Sequence, residues 1–313
     1  MERVYYTFNY PNAELNSTTV LTGIKHSKIN HKKYYITGIY ISSLPDVAFI
    51  YKGDLKGKGI FHILSFSNKI TNLFGPINEK KDDIIQVVGT FTVNKGIVKN
   101  NMRIATLYKG PLDGSGRWIK LIPPSKEEVI DIVAHSTMCG LVVGNFRIKS
   151  LEWKSYIYEI KTRKFFDITN MNAKNIVTYG VWHVSTCWYV ICGSYTIPNT
   201  NIEMAYLVNW DNKNRRLYNW RAYSYGNDSL VTSTRFNSIT SCNNKHYKLT
   251  GFYIKNQKES GFLANVKRSD DGDFSGGHWQ NIFYPDSQSS AGNGIDKNVI
   301  VGIYDNKNGF VSL

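Results

Sequence analysis

The sequence predicts an all-β chain folded as a six-bladed β-propeller, with four antiparallel strands per blade, and three observations support this. A glycine followed two residues later by Tyr or Phe recurs six times, at Gly38/Tyr40, Gly89/Phe91, Gly144/Phe146, Gly193/Tyr195, Gly251/Tyr253 and Gly302/Tyr304. The steps are 51, 55, 49, 58 and 51 residues, and 49 more lead from Gly302 through the C-terminus back to Gly38. The period therefore closes on itself, as a ring of blades requires. In phase with it runs a small residue, an aromatic and an aliphatic: Ala48-Phe49-Ile50, Ala105-Thr106-Leu107, Ser155-Tyr156-Ile157, Ala205-Tyr206-Leu207, Gly261-Phe262-Leu263 and Gly309-Phe310-Val311, with Thr106 breaking the aromatic column. Helical periodicity is nearly absent, while Phe, Trp and Tyr make up 14% of the residues.

Each repeat divides into strands A to D, counted outward from the channel. Strand B carries the glycine motif (35–41, 85–93 and 141–148 in the first three repeats), and strand C carries the small-aromatic-aliphatic motif. Strand D is a short aromatic run, at 61–66, 118–122, 165–168, 218–223 and 279–284. Strand A has the weakest pattern, with pieces at 20–24 and 176–181. The sixth repeat ends after its C motif, so its outer strand is expected from the N-terminus, where 4–10 resembles 279–285. Such pairing removes an exposed sheet edge. The candidate helix is 125–132, after Pro123-Pro124, where Ser125-Lys126-Glu127-Glu128 has the form of a capping box. Glycine inside a strand marks a close approach, and the expected visitor is an aromatic ring from the neighbouring blade.

Residues 1–313 are expected to form one domain, because no Pro/Ser/Gly-rich linker interrupts the period. Met1 to Tyr10 has no basic region followed by an apolar core, and no run of about 18 apolar residues occurs. Cys139, Cys187, Cys192 and Cys242 have no metal-ligand spacing and read as buried free thiols. These features place the chain in the cytoplasm, with non-classical secretion left open, as a monomer with no membrane span.

A net charge of +14 favours acidic partners. The C–D turns concentrate it, with Lys52, Lys56 and Lys58 in the first repeat and Lys161, Arg163 and Lys164, Lys213, Arg215 and Arg216, and Lys267 and Arg268 in the third to fifth. Arg163, Lys164, Arg215, Arg216, Lys267 and Arg268 are the candidate ligand-binding residues, set as an arc on one rim. The ligand class is an anionic glycan or an acidic protein surface. For nucleic acid no recognised motif or interleaved stacking platform is present.

Catalytic signals are sparse. The histidines His26, His31, His62, His135, His183, His246 and His278 have no paired metal spacing, and no cofactor motif or nucleophile elbow occurs. His26, His135 and His183 fall near the ends of A strands. Asp46, Glu152, Glu203 and Glu259 lie on or beside B–C loops that border the opposite funnel, where a glycosidase would need two facing carboxylates.

Two resemblances rest on particular residues. Thr37-Gly38-Ile39-Tyr40 with Ala48-Phe49-Ile50-Tyr51-Lys52-Gly53 resembles the HAF-type repeats of bacterial extracellular proteins, which implies a propeller and no particular activity. Ser269-Asp270-Asp271-Gly272 leading to Trp279 is similar to the aspartate-box hairpin of sialidases, with Asp113-Gly114-Ser115-Gly116-Arg117-Trp118 a looser version. The spacing to Trp279 is longer than in that hairpin, and no arginine triad is assignable. The sequence thus points to a non-catalytic carbohydrate-binding or lectin-like recognition module. The alternative, from another class, is a glycan-directed hydrolase or lyase with its site in the central funnel.

Overall fold

Apolar patterning sets where each strand sits. Leu141–Ile148 is buried along nearly its whole length, whereas Lys164–Ile168 and His278–Ile282 mix exposed and buried positions. These are the patterns of strands covered on both faces and of strands that face water on one. The computed structural model describes residues 3–30, 32–42, 46–67, 69, 71–78, 84–94 and 101–313. Among them are 24 strands and one short 3-10 turn, Tyr225–Asn227.

After β1 (Tyr5–Thr7) the strands run as quartets. The first holds β2 (Thr18–His26), β3 (Tyr34–Ile41), β4 (Val47–Gly53) and β5 (Gly59–Ile63). The second holds β6 (Thr71–Asn78), β7 (Ile84–Asn94), β8 (Asn101–Pro111) and β9 (Arg117–Leu121). The third holds β10 (Val129–Met138), β11 (Leu141–Ile148), β12 (Trp153–Glu159) and β13 (Lys164–Ile168). The fourth holds β14 (Lys174–Ser185), β15 (Trp188–Thr196), β16 (Glu203–Asp211) and β17 (Arg216–Tyr223). The fifth holds β18 (Val231–Ser241), β19 (His246–Lys255), β20 (Lys258–Lys267) and β21 (His278–Ile282). Last come β22 (Ser290–Asp296), β23 (Val299–Tyr304) and β24 (Asn308–Ser312).

Within each quartet neighbours pair antiparallel, and together they form a β-propeller. β1 joins the last three strands in the order β1-β24-β23-β22, with Tyr6 opposite Val311, so the N-terminal segment lies beside the C-terminal strand. Six separate sheets are not what forms. Four sheets are four-stranded, while the fourth and fifth quartets are one eight-stranded sheet. The join is a single parallel pair, Glu203 with Ser233, reinforced by Ser233 Oγ donating to the Glu203 carboxylate at 2.5 Å.

Apolar clusters fill the spaces between successive quartets. Val88, Ala105 and Leu107 pack on Ile132, Phe146 and Tyr156, and Leu21, Phe49 and Tyr51 meet Val299, Val301 and Val311 across the closing seam. On that seam Asp296 also bonds the Lys25 ammonium at 2.9 Å and the His26 ring at 2.5 Å. Burial alone would raise the Asp296 pKa, but the His26 and Lys25 bonds outweigh it and hold the carboxyl at about 2.

The glycine column has a different cause from the one expected. Register places each glycine opposite the C-motif residue of its own quartet: Gly38 faces Phe49, Gly144 faces Tyr156, Gly193 faces Tyr206. On its other side lies the innermost strand, which is bulged just past the glycine's partner, or one residue further along in the second quartet. A methyl group on Gly144 would run into the Val133 carbonyl and the Tyr156 ring, and one on Gly193 into the Val177 carbonyl and Tyr206. The close approach is therefore made within one quartet, by a bulged backbone and a cross-strand ring, and not by a neighbour's aromatic side chain.

Two further expectations change. No helix forms at 125–132: Ser125 Oγ accepts from the Glu127 amide at 3.2 Å in a bend, and the β-branched run from Val129 enters β10, the innermost strand of its quartet. Of the four cysteines only Cys192 is buried, Cys187 is half-buried and Cys139 and Cys242 are exposed. All four are free thiols.

Gly144→Val and Gly193→Val should each lower unfolding stability by at least about 2 kcal/mol through overpacking. Gly276→Ala, at an open position, should stay within about 0.5 kcal/mol. Urea denaturation of the three variants measures both, and wild-type midpoints for the two valine variants would remove this steric account.

Candidate functional site

The bulges do more than shift register, because an extra residue in one strand re-aims a side chain. In five quartets the inserted residue is Thr22, His135, Tyr179, Asn237 or Asn293. All five line one space of about 250 Å³ in the middle of the ring, together with Phe74, Arg235 and Phe252. The channel waist is thus built from the bulges.

The waist divides into two halves. On one side the inserted side chains are consumed in holding the ring together: Asn237 donates to the Gly292 carbonyl at 3.0 Å, Asn293 to that of Leu21 at 3.0 Å, and Thr22 to that of Leu73 at 2.6 Å. On the other side Asn145, from β11, makes the corresponding bond to the Thr178 carbonyl at 3.1 Å. That leaves His135 and Tyr179 to face the cavity. Their rings meet at 4.7 Å, and Phe74 lies 5.0 Å beyond His135.

Above them, on the rim of the B–C and D–A connections, opens a cavity of about 780 Å³. Two ion pairs flank it. Arg103 of β8 forks onto Asp131 of β10, with Nε–Oδ1 at 2.9 Å and a second bond from Nη2 to Oδ2. Arg235 of β18 forks onto Glu203 of β16 with both bonds at 3.0 Å. Ser194 and Ser233 also donate to Glu203, at 2.6 and 2.5 Å, which fixes its carboxylate plane. The Arg235 guanidinium lies 4.9 Å from the Phe252 ring centre and 5.6 Å from that of Tyr179. Trp153, Lys174, Asn175 and the 199–201 loop complete the mouth.

Burial, then the positive charges of Arg103 and Arg235, push the His135 imidazole down to about 3. The ring is therefore neutral, with one nitrogen donating and the other accepting. Burial raises the Tyr179 hydroxyl, and raises Glu259 against the opposing charge of Arg235.

The residues singled out in the sequence are distributed between two rims. Of the four carboxylates, Glu203 lines the cavity and Glu259 lies within the field of Arg235. Glu152 lines a separate cleft beside Asp167 and Asn170. Burial raises Asp46. His26, His135 and His183 do not converge: His26 belongs to the seam, and His183 packs on Tyr189 at 5.0 Å. His31 lies outside the described residues. Among the described residues no cluster fit to hold a metal ion occurs.

The six basic candidates sit in C–D turns, on the rim opposite the cavity. Arg163, Lys164, Arg216 and Lys267 are exposed. Arg215 instead forks onto Glu159 of the third quartet, at 3.2 and 2.9 Å, and covers Phe166 at 4.7 Å. Arg268 reaches back to Asn209 of the fourth quartet at 2.7 Å and to the Tyr218 hydroxyl at 3.3 Å. Glu159 and Asn209 hold the same position, four residues past Ser155 and Ala205, so the two arginines are equivalent staples between neighbouring quartets. Ser269 to Gly272 forms a turn on this rim, closed by the Ser269 amide donating to the Asp273 carbonyl at 2.8 Å. It docks on the fourth quartet through Asn209, whose amide donates to the Gly272 carbonyl at 2.8 Å.

Comparison with known proteins gives fold likeness alone. No family model and no curated protein sequence matches the chain. The Trypanosoma rangeli sialidase in complex with the inhibitor DANA aligns at 7% identity over 98% of this chain with a TM-score of 0.55. The alignment covers 57% of the sialidase, so this chain spans little over half its length. The Aleuria aurantia lectin in complex with Fucalpha1-6GlcNAc aligns at 10% identity over 94% of this chain and 90% of the lectin, with a TM-score of 0.50. A GH43_1 enzyme from Xanthomonas citri aligns at 8% identity over 79% of this chain and 90% of its own, with a TM-score of 0.44. The chain belongs with the β-propellers by fold.

Two predictions come from these placements. Because His135 binds its proton only near pH 3 in the folded protein but near 6.5 when unfolded, the unfolded chain holds more protons between those values. Stability should fall as pH drops from 6.5 toward 3. His135→Gln, which keeps a donor and an acceptor, should flatten the part of the Tm–pH curve between pH 4 and 6.5; an unchanged slope would mean that His135 titrates normally. Arg215→Glu should cost about 1 kcal/mol or more, since it breaks a partly buried pair and sets two carboxylates together. Arg163→Glu, at an exposed position, should cost almost nothing in the same urea titration.

Proposed function

We propose that this propeller is a glycan-recognition module that seats its ligand in the cavity above the waist, without catalysis. The observation that carries the reading is the divided waist. Three inserted side chains close the ring by hydrogen bonds, while His135 and Tyr179 are left facing a cavity flanked by two guanidinium–carboxylate pairs. Each forked pair leaves guanidinium N–H groups to spare, and Asp131, bonded by Arg103 alone among the described residues, keeps acceptor capacity as well, a donor–acceptor edge that suits vicinal hydroxyls. The faces of Trp153, Tyr179, Phe74 and Phe252 supply the apolar walls typical of a ligand site. A sialidase and a fucose-binding lectin among the similar folds are consistent with a sugar ligand.

The non-catalytic half of the reading is supported by how the carboxylates are used. Asp131 and Glu203 are each committed to an arginine in a fork. A neutral imidazole that protonates near pH 3 is also far from the value a general acid needs at neutral pH. In the same reading the eight-stranded sheet counts as two blades joined at one pair, which makes six. An acidic partner or the charged part of a glycan would meet the other rim at Arg163, Lys164, Arg216 and Lys267, with Arg215 and Arg268 mainly holding the blades.

One observation favours the hydrolase alternative: Glu259 is raised by burial near Arg235 and Glu203. That arrangement sets a protonatable carboxyl beside a paired one.

A glycan array probed at two salt concentrations tests the proposal. Trp153→Ala should weaken binding of the selected glycan at least tenfold, while the triple variant Arg163→Glu, Lys164→Glu, Lys267→Glu should leave binding of neutral glycans unchanged. The reverse pattern would put the ligand on the opposite rim. Release of new reducing ends from the bound glycan, lost in Glu259→Gln, would replace binding by hydrolysis.

A further inference from the structure

The space above the waist does not end at Trp153. Trp153 and Asn175, which line the large cavity, also line a second cleft of about 220 Å³ on the same rim. Its walls are the start of β12, the end of β13 at Asp167 and Ile168, the D–A connection that follows, and the start of β14. Because β13 is the outer strand of the third quartet, cavity and cleft together run outward from the waist between the third and fourth quartets, with Trp153 and Asn175 as the ridge between them. A site for a whole small ligand takes about 300–1,000 Å³. The cavity is of that size, and the cleft is smaller, the size of an added subsite.

A bulge builds the ridge. β14 carries an extra residue between Lys174 and Val177, and Asn175 there takes a φ of 47°, a conformation that asparagine adopts more readily than most residues. Its side chain turns toward β12, where Oδ1 accepts from the Trp153 amide at 3.1 Å. That bond ties the two quartets and leaves the Asn175 Nδ2 group as a donor on the ridge. The Arg147 guanidinium backs the Trp153 ring, 5.5 Å from its centre, and so steadies an aromatic platform. Beyond the ridge the cleft has an apolar floor of Ile168, Ala173 and Ile176. Asp167 and Thr169 stand exposed on its walls, and their side chains make no hydrogen bond or ion pair among the described residues. The charged side chains of the lining are Glu152, Asp167 and Lys154, a balance that disfavours an anion. An apolar floor edged by free acceptors and donors receives a sugar ring, with its C–H face down and its hydroxyls outward.

We propose that this cleft is a second subsite of the funnel, so that the module binds an extended oligosaccharide and not a single terminal sugar. One unit sits in the cavity, the linkage passes over Trp153 and Asn175, and a neutral unit fills the cleft. The Asn175 Nδ2 group donates to an oxygen near the linkage, and the Asp167 carboxylate accepts from a hydroxyl of the outer unit. The proposal rests on the reading of the funnel as a glycan site and adds to it the class of glycan that the site takes.

Length ladders of neutral gluco-, xylo-, manno-, chito- and fucosyl-oligosaccharides, from one sugar to six, test the subsite when displayed on an array and then titrated by calorimetry against the full chain. Within a ladder that binds, affinity should rise at least tenfold from the monosaccharide to the trisaccharide. Thr169→Trp, which fills the cleft from an exposed position, and Asp167→Ala should each weaken trisaccharide binding at least fivefold and leave monosaccharide binding unchanged. Trp153→Ala should weaken binding at every length. Equal affinity at all lengths, or a length gain that survives both cleft variants, would overturn the subsite; if Trp153→Ala still lost binding, the funnel reading would stand without it. Binding by no ladder, or binding indifferent to Trp153→Ala, would overturn the funnel reading and the subsite together.

Discussion

The contact on which the rest depends is the approach of a bulged innermost strand to the glycine of the strand beside it. The bulge brings a main-chain carbonyl to where a Cβ would stand at Gly89, Gly144, Gly193, Gly251 and Gly302, and only glycine leaves that space open. The aromatic residue opposite then lies across the glycine from the third strand, as Tyr156 does over Gly144 and Tyr206 over Gly193. One steric requirement therefore ties three strands at Gly144, Gly193 and Gly302, where a carbonyl and a ring both close on the glycine. The residue that the bulge expels is the one that lines the channel, so the feature that packs the sheet also supplies the candidate site.

The two rims use charge differently for a related reason. Near the waist, arginine and carboxylate come from different strands and meet in forks, Arg103 with Asp131 and Arg235 with Glu203, each held at a fixed angle by two bonds. On the outer rim the turns are short, and an arginine there reaches an acceptor on the preceding quartet. Part of the large positive charge is thus spent on internal contacts, and the formal sum overstates what a partner meets.

Much of this architecture is legible in the sequence because glycine and aromatic spacing is a backbone requirement that recurs in every repeat. The N-terminal strand was legible for the same reason, since the last repeat ends after Gly309-Phe310-Val311 and Val4 to Tyr10 resembles an outer strand. The innermost strands were not, because a bulge inserts one residue and breaks alternation, as between Ala134 and Ser136 or Thr178 and Gly180. The inserted residue also lies at no constant distance from its glycine, nine residues for His135 and fourteen for Tyr179, since the intervening turns differ in length. The joining of the fourth and fifth quartets rests on one residue pair, which leaves no pattern in the chain. Asp131 and Arg103 carry no motif either; the fold alone brings them together.

The divided waist bears on how such a ring acquires a site. Asn237, Asn293 and Thr22 show what an inserted side chain does when it serves closure: it donates to the backbone of the next innermost strand. Asn145 makes that bond for the third interface from a different strand, and this substitution is what releases His135 from the structural role. In this chain Asn145 and His135 are in the same quartet, beneath the cavity of about 780 Å³ and next to both forked ion pairs. That coincidence is the physical ground of the proposed recognition site.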